Sequence, residues 1–464
     1  MSTEPTIVII GAGPGGYEAA LVARHSHARV VLIEEHGAGG SAVLTDVVPS
    51  KTLIASAEWL ARTDRAKELR IVTQEGVVGA DLLGVNARVA DLAASQSADI
   101  RKRLVDEGVE FVEGRGAVSP ILADGGRRIV TVGEREFVAD FVLVSTGASP
   151  RELPAAKCDG ERILTWKQVY DLKVVPEHLI VVGSGVTGAE FASAYTALGV
   201  QVTLISSRDR VLPGQDTDGA ELIERVFRES GMTILSRSRA DAARVEGDGV
   251  VVTLADGTEV RGSHCLMAVG AVPNTAGIGL EEAGVELDER GYIKTDRVSR
   301  TTGHRIYAAG DCTGVYPLAS VASTQGRTAM AHALGDAVEP LRLDQVSAAI
   351  FTAPEIATVG VTQAQVESGE VDCVTTILPL ARNPRAKMRG LKDGFVKLYA
   401  RRRTRTIAGG VVVAPLASEY IFPITLAVAN RLTVDQVAQT FTVYPSISGS
   451  IAEAARQLHV AVED

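Results

Sequence analysis

The chain is short of aromatic side chains and of positive charge. Aromatic residues make up 4% of its 464 residues, whereas glycine occurs 46 times. This balance suits tight turns and a close approach of the backbone to a nucleotide. Lysine and arginine together number 47 against 57 acidic residues, which gives a net charge of -10. We do not expect an acidic chain of this kind to bind nucleic acid.

Cysteine pairs and long apolar runs are missing as well. The four cysteines, at positions 158, 265, 312 and 373, show no spacing typical of a metal or redox site, and Cys312 is expected to be a packed thiol. No apolar stretch reaches the roughly 18 residues of a membrane span. The start of the chain, Met1–Pro5, is polar and has no signal-peptide pattern. These features predict a cytoplasmic protein without metal and without an integral membrane segment.

A dinucleotide-binding βαβ unit is predicted at the start of the chain. The apolar run Thr6–Ile10 indicates a buried strand, a helix follows over Tyr17–Arg24, and a second strand covers Arg29–Ile33. A G-x-G-x-x-G turn joins strand and helix, where backbone N–H groups and the helix dipole favour a pyrophosphate. Glu34 ends the second strand and can accept hydrogen bonds from a ribose. The candidate binding residues of the turn are Gly11, Gly13, Pro14 and Gly16.

The same pattern recurs later in the chain. A strand is predicted at His178–Val182, a helix runs to Leu198, and the next strand is Val200–Ile205. The second glycine turn contributes the candidate residues Gly183, Gly185 and Gly188. Two such units in one chain argue for two nucleotides, FAD and a nicotinamide cofactor.

The residues after the last of these strands bear on the choice between NADPH and NADH. An acidic residue there would bind the ribose hydroxyls of NADH. This chain has Ser206, which leaves room for a 2′-phosphate, and Arg208 or Arg210 could neutralise that phosphate. We therefore expect NADPH, although Asp209 keeps NADH open as the alternative.

A family resemblance begins just after the first unit. Residues 39–51 read Gly-Gly-Ser-Ala-Val-Leu-Thr-Asp-Val-Val-Pro-Ser-Lys, and residues 308–312 read Ala-Ala-Gly-Asp-Cys. In these motifs the chain resembles the flavoprotein disulfide reductases, such as lipoamide dehydrogenase and glutathione reductase. Those enzymes carry their redox-active cysteines where this chain has Ala42 and Val47. The resemblance covers residues 6–460 and implies the scaffold of a disulfide reductase without the disulfide.

The resemblance also implies roles for individual residues. Lys51 would lie near flavin N5 and pair with Glu190, and Asp311 would bind a ribityl hydroxyl of FAD. A helix whose first turn contains Pro317 would point its N-terminus at the flavin. The further cofactor-binding residues that the family motifs imply are Gly40, Ser41, Thr146, Gly147, Gly270, Gly310, Leu318 and Ala319.

A second departure from the family lies near the C-terminus. The disulfide reductases have a His-Pro-x-x-Ser-Glu motif whose histidine, from the partner subunit, handles protons for the dithiol. This chain has Tyr444 in place of the histidine and Gly449 in place of the glutamate. A neutral tyrosine is a poor general base at pH 7 but a usable hydrogen-bond donor. The loss of both cysteines and of the His–Glu pair argues that dithiol chemistry is absent.

The predicted fold is α/β, with two Rossmann-like dinucleotide-binding domains and a C-terminal α+β dimerisation domain. The FAD-binding domain is expected at residues 1–150 and 275–345, the NAD(P)-binding domain at 151–274, and the dimerisation domain at 346–464. The charged region 60–118 predicts antiparallel helices, and the basic run Arg401–Arg405 predicts a solvated hairpin turn.

The resemblance is strongest to the disulfide-lacking NAD(P)H:quinone reductases of actinobacteria, which share the Tyr-Pro-Ser-x-Ser-Gly-Ser motif of residues 444–450. It implies a homodimeric FAD enzyme that moves hydride from NADPH, or NADH, to a quinone-like acceptor. Tyr444 of the partner subunit would donate a hydrogen bond to a quinone oxygen. Two alternatives stay open: a soluble pyridine nucleotide transhydrogenase, and a non-catalytic flavoprotein redox sensor.

Overall fold

The computed structural model describes residues 4–64 and 79–461. The chain forms two compact units, each assembled from separate stretches of sequence. The first unit comprises Met1–Thr52, Asn86–Arg151 and Gly270–Leu341. The second comprises Leu53–Val85, Glu152–Val269 and Arg342–Asp464.

The described chain contains both strands and helices, with runs of consecutive strands over residues 110–182 and 233–308. The strands are β1 (Thr6–Ile10), β2 (Arg29–Glu34), β3 (Glu110–Glu113), β4 (Gly116–Ala123), β5 (Arg127–Val132), β6 (Arg135–Ala139), β7 (Phe141–Val144), β8 (Ala148–Pro150), β9 (Ile163–Thr165), β10 (His178–Val182), β11 (Gln201–Ile205), β12 (Thr233–Leu235), β13 (Ala240–Glu246), β14 (Gly249–Leu254), β15 (Glu259–Gly262), β16 (His264–Met267), β17 (Ala271–Pro273), β18 (Ile306–Ala308), β19 (Ser347–Ile350), β20 (Glu355–Gly360), β21 (Cys373–Pro379), β22 (Phe395–Arg401) and β23 (Ile407–Ala414). The helices are α1 (Pro14–His25), α2 (Gly40–Leu44), α3 (Val47–Asp64), α4 (Leu82–Asp106), α5 (Val186–Ala197), α6 (Thr217–Glu229), α7 (Ala319–Ala333), α8 (Gln363–Glu367), α9 (Pro384–Met388), α10 (Ala417–Tyr420), α11 (Phe422–Ala429), α12 (Val434–Gln439) and α13 (Gly449–Ala461).

A five-stranded parallel sheet forms the centre of the first unit, in the order β18-β7-β1-β2-β3. Successive side chains of β1 enter opposite faces, with Ile7 and Ile9 in one hydrophobic cluster and Val8 and Ile10 in another. A strand covered on both faces is apolar throughout, which explains the continuous run that predicted it.

The first unit also contains two smaller sheets. The strands β4, β5 and β6 form an antiparallel sheet, and β8 pairs antiparallel with β17. The second pair brings together the two Gly-x-x-Pro turns, because Thr146 Oγ1 donates to the Asn274 carbonyl at 2.7 Å and Asn274 N–H donates to the Gly147 carbonyl at 3.0 Å. Gly147 and Gly270 both have positive φ angles, of 68° and 98°, so the sequence needs glycine at these turns.

The second unit repeats the parallel arrangement and adds two antiparallel sheets. Its parallel sheet has the order β12-β11-β10-β16-β9, and its antiparallel sheets have the orders β13-β14-β15 and β19-β20-β23-β22-β21. The β22–β23 hairpin confirms the predicted turn at Arg401–Arg405, where the first four residues are exposed. The helices α11 and α13 supply apolar side chains to the core beside this sheet, among them Ile424 and Leu458.

Three predictions of secondary structure differ from the structure by more than one residue. Helix α1 begins at Pro14 rather than Tyr17, since proline suits the first helical position. Helix α7 begins at Ala319, so Pro317 precedes its N-cap Leu318 instead of lying in the first turn. The expectation of helices over 60–118 holds for α4, but Glu110–Glu113 is a strand paired with β2. Residues 65–78 lie outside the described part of the chain.

None of the helices described is long and apolar enough to cross a lipid bilayer. Within the same residues, no group of three or more metal-ligating side chains is present.

A buried ion-pair cluster stabilises the second unit. Lys397 of β22 is 1% exposed, and its Nζ lies 2.7 Å from Asp216 Oδ2 and 2.5 Å from Asp218 Oδ2. Tyr399 donates its hydroxyl to the same Asp216 oxygen at 2.9 Å. Asp216 also caps helix α6, since its Oδ1 accepts the Gly219 N–H at 3.1 Å. The cluster therefore ties the start of α6 to the antiparallel sheet.

We expect Lys397→Met to lower the free energy of unfolding by about 3–5 kcal/mol, because removing one partner leaves a buried carboxylate without a counter-charge. Arg402→Met is the matched control. Arg402 lies in the exposed turn of the same hairpin and pairs with Asp372 at 3.2 Å, so its loss should cost less than about 1 kcal/mol. Urea denaturation of both variants measures the difference, and equal losses would contradict the assignment.

Candidate active site

The first glycine turn holds its shape through backbone contacts that exclude side chains. A Cβ atom on Gly16 would lie 1.8 Å from the Gly11 carbonyl oxygen, and one on Gly11 would lie 2.2 Å from the Ser145 carbonyl oxygen. Gly13 is the N-cap of α1 and has nothing within 4 Å of its Cβ position. The turn is therefore closed on the protein side and open at the helix N-terminus, as a pyrophosphate requires.

Glu34 is buried beside this turn. Its Oε2 accepts the Ala12 N–H at 2.7 Å, and its Oε1 accepts the His36 N–H at 2.8 Å. Each carboxylate oxygen has a second lone pair, so the group keeps acceptor capacity for a hydroxyl. The end of β2 thus fits a ribose.

The loop from Gly39 to Lys51 packs against the same turn. Gly39 N–H donates to the Ala12 carbonyl at 2.8 Å, and a Cβ on Gly40 would lie 2.8 Å from Gly13 Cα. Ser41 is the second residue of the short helix α2, and its carbonyl accepts the N–H groups of residues 45 and 46. Ala42 and Val47 are half-buried, and Lys51 lies near the start of α3, also half-buried. The positions of the missing cysteines therefore carry apolar side chains within an intact loop.

A second group of polar atoms lies at the carboxyl end of β18. Burial, with a contribution from the charge of Asp46, raises the pKa of Asp311 to about 6. Gly310, with a φ of 84°, donates its N–H to Gln325 Oε1 at 2.8 Å. Helix α7 begins beside this turn, at Ala319 with N-cap Leu318, and neither the N-cap nor the first turn supplies a capping side chain.

Cys312 is a packed thiol, as the sequence predicted. It is fully buried, and its Sγ donates to the Ala309 carbonyl at 3.3 Å. Burial raises its pKa to about 11, which keeps the group protonated and unreactive near neutral pH. All four cysteines are free.

The second glycine turn repeats the geometry of the first. A Cβ on Gly188 would lie 1.8 Å from the Gly183 carbonyl oxygen, and one on Gly183 would lie 2.2 Å from the Ala268 carbonyl oxygen. Gly185 is the N-cap of α5 and has nothing within 4 Å of its Cβ position. This turn is also closed toward the protein and open at a helix N-terminus.

Ser206 anchors the loop that follows β11. It is fully buried, and its Oγ lies 2.7 Å from Ser184 Oγ and accepts the Arg208 N–H at 3.1 Å. Arg208 is exposed. The guanidinium of Arg210 lies 3.5 Å from Glu221 and 3.8 Å from Asp209. Ser206 therefore shapes the loop from inside, while the arginines offer the positive charge.

Glu190 is buried on α5 in the second unit. Its Oε1 accepts the Phe351 N–H at 2.9 Å, and one turn further on Ser193 Oγ accepts the Ala353 N–H at 3.0 Å. These bonds fix the carboxylate on its helix. Lys51 belongs to the first unit, so its pairing with Glu190 remains a prediction.

Tyr444 lies on an exposed apolar segment. It is 82% exposed, and its neighbours Phe441 and Val443 are 102% and 78% exposed. A run of large apolar residues open to water is the usual mark of a surface that another chain covers.

The first unit fits FAD. The closed glycine turn and the α1 N-terminus suit a pyrophosphate, and Glu34 suits the adenosine ribose. Asp311 is a carboxyl group whose burial calls for hydroxyl partners. Thr45 Oγ1, in the loop beside it, is buried without a hydrogen-bond partner among the residues described. Both groups would be satisfied by the hydroxyl and carbonyl groups that a flavin nucleotide carries.

The fold and these turns define a flavoprotein with two nucleotide-binding folds. Comparison with family models agrees, since the pyridine nucleotide-disulphide oxidoreductase model matches residues 5–326 and the model of that family's dimerisation domain matches residues 346–455. The chain belongs to the pyridine nucleotide-disulphide oxidoreductase family, which confirms the resemblance and the fold class. Family membership implies a flavin and a pyridine nucleotide, and the C-terminal domain indicates a homodimer.

The names of the similar proteins refer to different activities. An NAD(P)H dehydrogenase (quinone) of Mycobacterium tuberculosis is 53% identical over 460 residues, covering 97% of this chain and 93% of the other. A dihydrolipoyl dehydrogenase of Chlamydia pneumoniae is 32% identical, covering 98% and 97%. The crystal structure of LpdA from Mycobacterium tuberculosis superposes with a TM-score of 0.93 at 53% identity, covering 98% and 99%. The flavoprotein disulfide reductase RclA of Escherichia coli shares the fold, with a TM-score of 0.86 at 23% identity, covering 97% and 99%.

Several residues near the site were not predicted from the sequence. Ser184 supports the β11 loop through Ser206, Asp46 adds charge beside Asp311, and Asn274 locks the two Gly-x-x-Pro turns together. Each acts through a contact between distant parts of the chain. The only signal in the sequence was their position inside or next to a motif.

Two glycine variants test the second turn. Gly188→Ala should reduce stability and abolish pyridine nucleotide binding, because its Cβ would overlap the Gly183 carbonyl. Gly185→Ala should keep the fold and the flavin but weaken the nucleotide about tenfold or more, because its Cβ meets only the space a phosphate would fill.

Gly214→Ala is the control for these variants, since its Cβ position has nothing within 4 Å and it lies outside the turn. Thermal unfolding and nucleotide titration of the three variants are the measurements. Unchanged nucleotide affinity in Gly185→Ala would place the nucleotide elsewhere.

Proposed function

We propose that this chain is an FAD-dependent NAD(P)H:quinone oxidoreductase that works as a homodimer without a redox-active disulfide. One observation carries the proposal: both dinucleotide turns are intact, whereas Ala42 and Val47 occupy the cysteine positions of the loop. The name of the 53%-identical relative, NAD(P)H dehydrogenase (quinone), supports a quinone-type acceptor.

Each of the two units would bind one nucleotide. Gly11, Gly13 and Gly16 would hold the FAD pyrophosphate, with Glu34 on the ribose and Asp311 on the ribityl chain. Gly183, Gly185 and Gly188 would hold the pyridine nucleotide in the same manner. Bound FAD would accept hydride from the nicotinamide and supply two electrons to the acceptor.

NADPH is the preferred donor in this proposal. The end of β11 has the buried Ser206 where an acidic residue would bind the ribose of NADH. Arg208 and Arg210 follow, and a guanidinium pairs well with a phosphate. The basic loop in an otherwise acidic chain supports a ligand that carries an extra phosphate.

Lys51 and Glu190 would form an ion pair beside the flavin. Glu190 is 4% exposed, and a cationic group is a favourable partner for a buried carboxylate. The Phe351 N–H holds one of its oxygens and so restricts where the lysine can be placed. The pair would orient the lysine ammonium.

The acceptor would lie against the apolar side chains that replace the cysteines. Ala42 and Val47 offer no nucleophile and no proton, which suits a flat apolar ring such as a quinone. The exposed segment around Tyr444 supports a dimer in which this surface is covered by a second copy. Tyr444 of the partner subunit would then donate a hydrogen bond to a quinone oxygen.

Steady-state oxidation of NADPH by different acceptors tests the function. We expect turnover with a benzoquinone, little with NAD and none with lipoamide, since no dithiol relay is available. Faster turnover with NAD would identify a transhydrogenase. Absence of turnover with all three, from a protein that binds FAD, would favour a redox sensor.

The role of Tyr444 can be tested in mixed dimers. Tyr444→Phe should raise the KM for benzoquinone roughly three- to tenfold, the value of one hydrogen bond, and leave the KM for NADPH unchanged. A dimer of one Tyr444→Phe chain and one Lys51→Ala chain should retain one unaltered site, with a normal KM and about half the wild-type kcat, if Tyr444 acts across the interface. Defects at both sites of that dimer would show that Tyr444 acts within its own chain.

A further inference from the structure

The loop after β12 contributes a third arginine to the basic surface beside β11. Ser206 N–H donates to the Leu235 carbonyl at 2.8 Å, Arg237 N–H donates to the Arg208 carbonyl at 2.7 Å, and Ser238 N–H donates to the Ser206 carbonyl at 2.8 Å. Backbone pairing thus continues past the ends of the two strands. It holds Arg237 next to Arg208 at the carboxyl edge of the parallel sheet.

This edge is where an open α/β sheet binds its ligand. Nucleotides lie outside the carboxyl ends of the strands, with the adenosine ribose at the end of the strand that corresponds to β11. Strand β12 is its hydrogen-bonded neighbour. Arg237, two residues beyond Leu235, therefore lies at the same edge of the sheet as Arg208.

The three arginines differ in whether a nearby carboxylate compensates their positive charge. Arg210 is partly neutralised, because its guanidinium lies between Glu221 at 3.5 Å and Asp209 at 3.8 Å. Among the residues described, neither Arg208 nor Arg237 has a carboxylate within 4 Å of its guanidinium, and both are exposed. The guanidinium groups of Arg208 and Arg237 are therefore better placed than that of Arg210 to pair with a phosphate.

The backbone of Arg237 is also unusual. Its φ angle is 54°, in the left-handed region that costs a side-chain-bearing residue about 1 kcal/mol or more. Glycine or asparagine would fit this turn with less strain. An arginine at such a position points to a function for its side chain.

We propose that Arg237 and Arg208 together bind the 2′-phosphate of NADPH, and that Arg210 instead anchors the loop through Glu221. This assignment rests on the proposed function in that it assumes NADPH as the donor. A phosphomonoester carries nearly two negative charges at neutral pH and accepts paired N–H bonds from guanidinium groups. Two arginines on adjacent strand ends can contact it from two sides.

Calorimetric titration of the FAD-loaded enzyme with 2′,5′-ADP and with 5′-AMP tests the assignment without any turnover. Arg237→Asn removes the charge and keeps a residue that tolerates the left-handed backbone. We expect its Kd for 2′,5′-ADP to rise about tenfold or more, as in Arg208→Ala, with no change for 5′-AMP. Arg210→Ala should weaken 2′,5′-ADP less than either.

Arg239→Ala is the matched control. Arg239 is exposed two residues further on and lies 3.5 Å from Asp241, so its loss should leave both affinities unchanged. Arg237→Lys should restore part of the 2′,5′-ADP affinity, which a purely structural role would not require. Arg237→Gly, which suits the φ angle still better, replaces the asparagine variant if that protein loses its flavin.

The outcomes separate this inference from the proposed function. If the wild type prefers 2′,5′-ADP and Arg208→Ala weakens it while Arg237→Asn does not, the role of Arg237 is wrong and the NADPH preference stands. If the wild type binds 2′,5′-ADP no better than 5′-AMP, the NADPH preference itself is wrong and the role of Arg237 is overturned with it. The quinone acceptor is untouched by either result.

Discussion

Backbone packing without room for a Cβ atom is the constraint on which both nucleotide sites depend. At Gly16 and at Gly188 the added carbon would come within 1.8 Å of a carbonyl oxygen of the same turn. The same principle recurs where α1 crosses α7, since a Cβ on Gly326 would lie 2.0 Å from the Gly15 carbonyl oxygen. These contacts bring helix N-termini close to strand ends and leave their N–H groups directed outward, which is the arrangement that binds a phosphate.

In this scaffold, the side chains of the loop after Gly39 limit the redox chemistry that is possible. Ala42 and Val47 cannot pass electrons onward, and all four cysteines of the chain are free thiols. Burial raises the pKa of Cys158 and of Cys312 to about 11, so neither is a thiolate near neutral pH. A flavin held here would therefore exchange electrons directly with whatever small molecule reaches it. This is the physical reason for preferring a quinone-type acceptor to a disulfide.

The sequence predicted the parts of the fold whose cause is local. The strand His178–Val182 was predicted to the residue, because a strand buried on both faces is apolar from end to end. The strand Glu110–Glu113 was missed, since a short edge strand with two acidic residues carries no such pattern.

For the site as well, local features were predicted from the sequence and contacts between distant residues were not. Glycine spacing identified both turns, because the steric requirement acts within a few residues. Nothing in the sequence indicated that Ser206 would be buried against Ser184, or that Arg237 would lie beside Arg208. Those contacts depend on which strands become neighbours in the sheet, which spacing along the chain does not reveal.

The central claim is that electrons leave the reduced flavin directly, without a redox-active disulfide, and anaerobic titration with NADPH tests it most directly. The account predicts that one equivalent of NADPH per FAD bleaches the flavin completely, that no new thiols become reactive, and that a benzoquinone then restores the oxidised spectrum within one turnover. Uptake of a second equivalent together with the appearance of two thiols would contradict it, because that result requires a reducible disulfide.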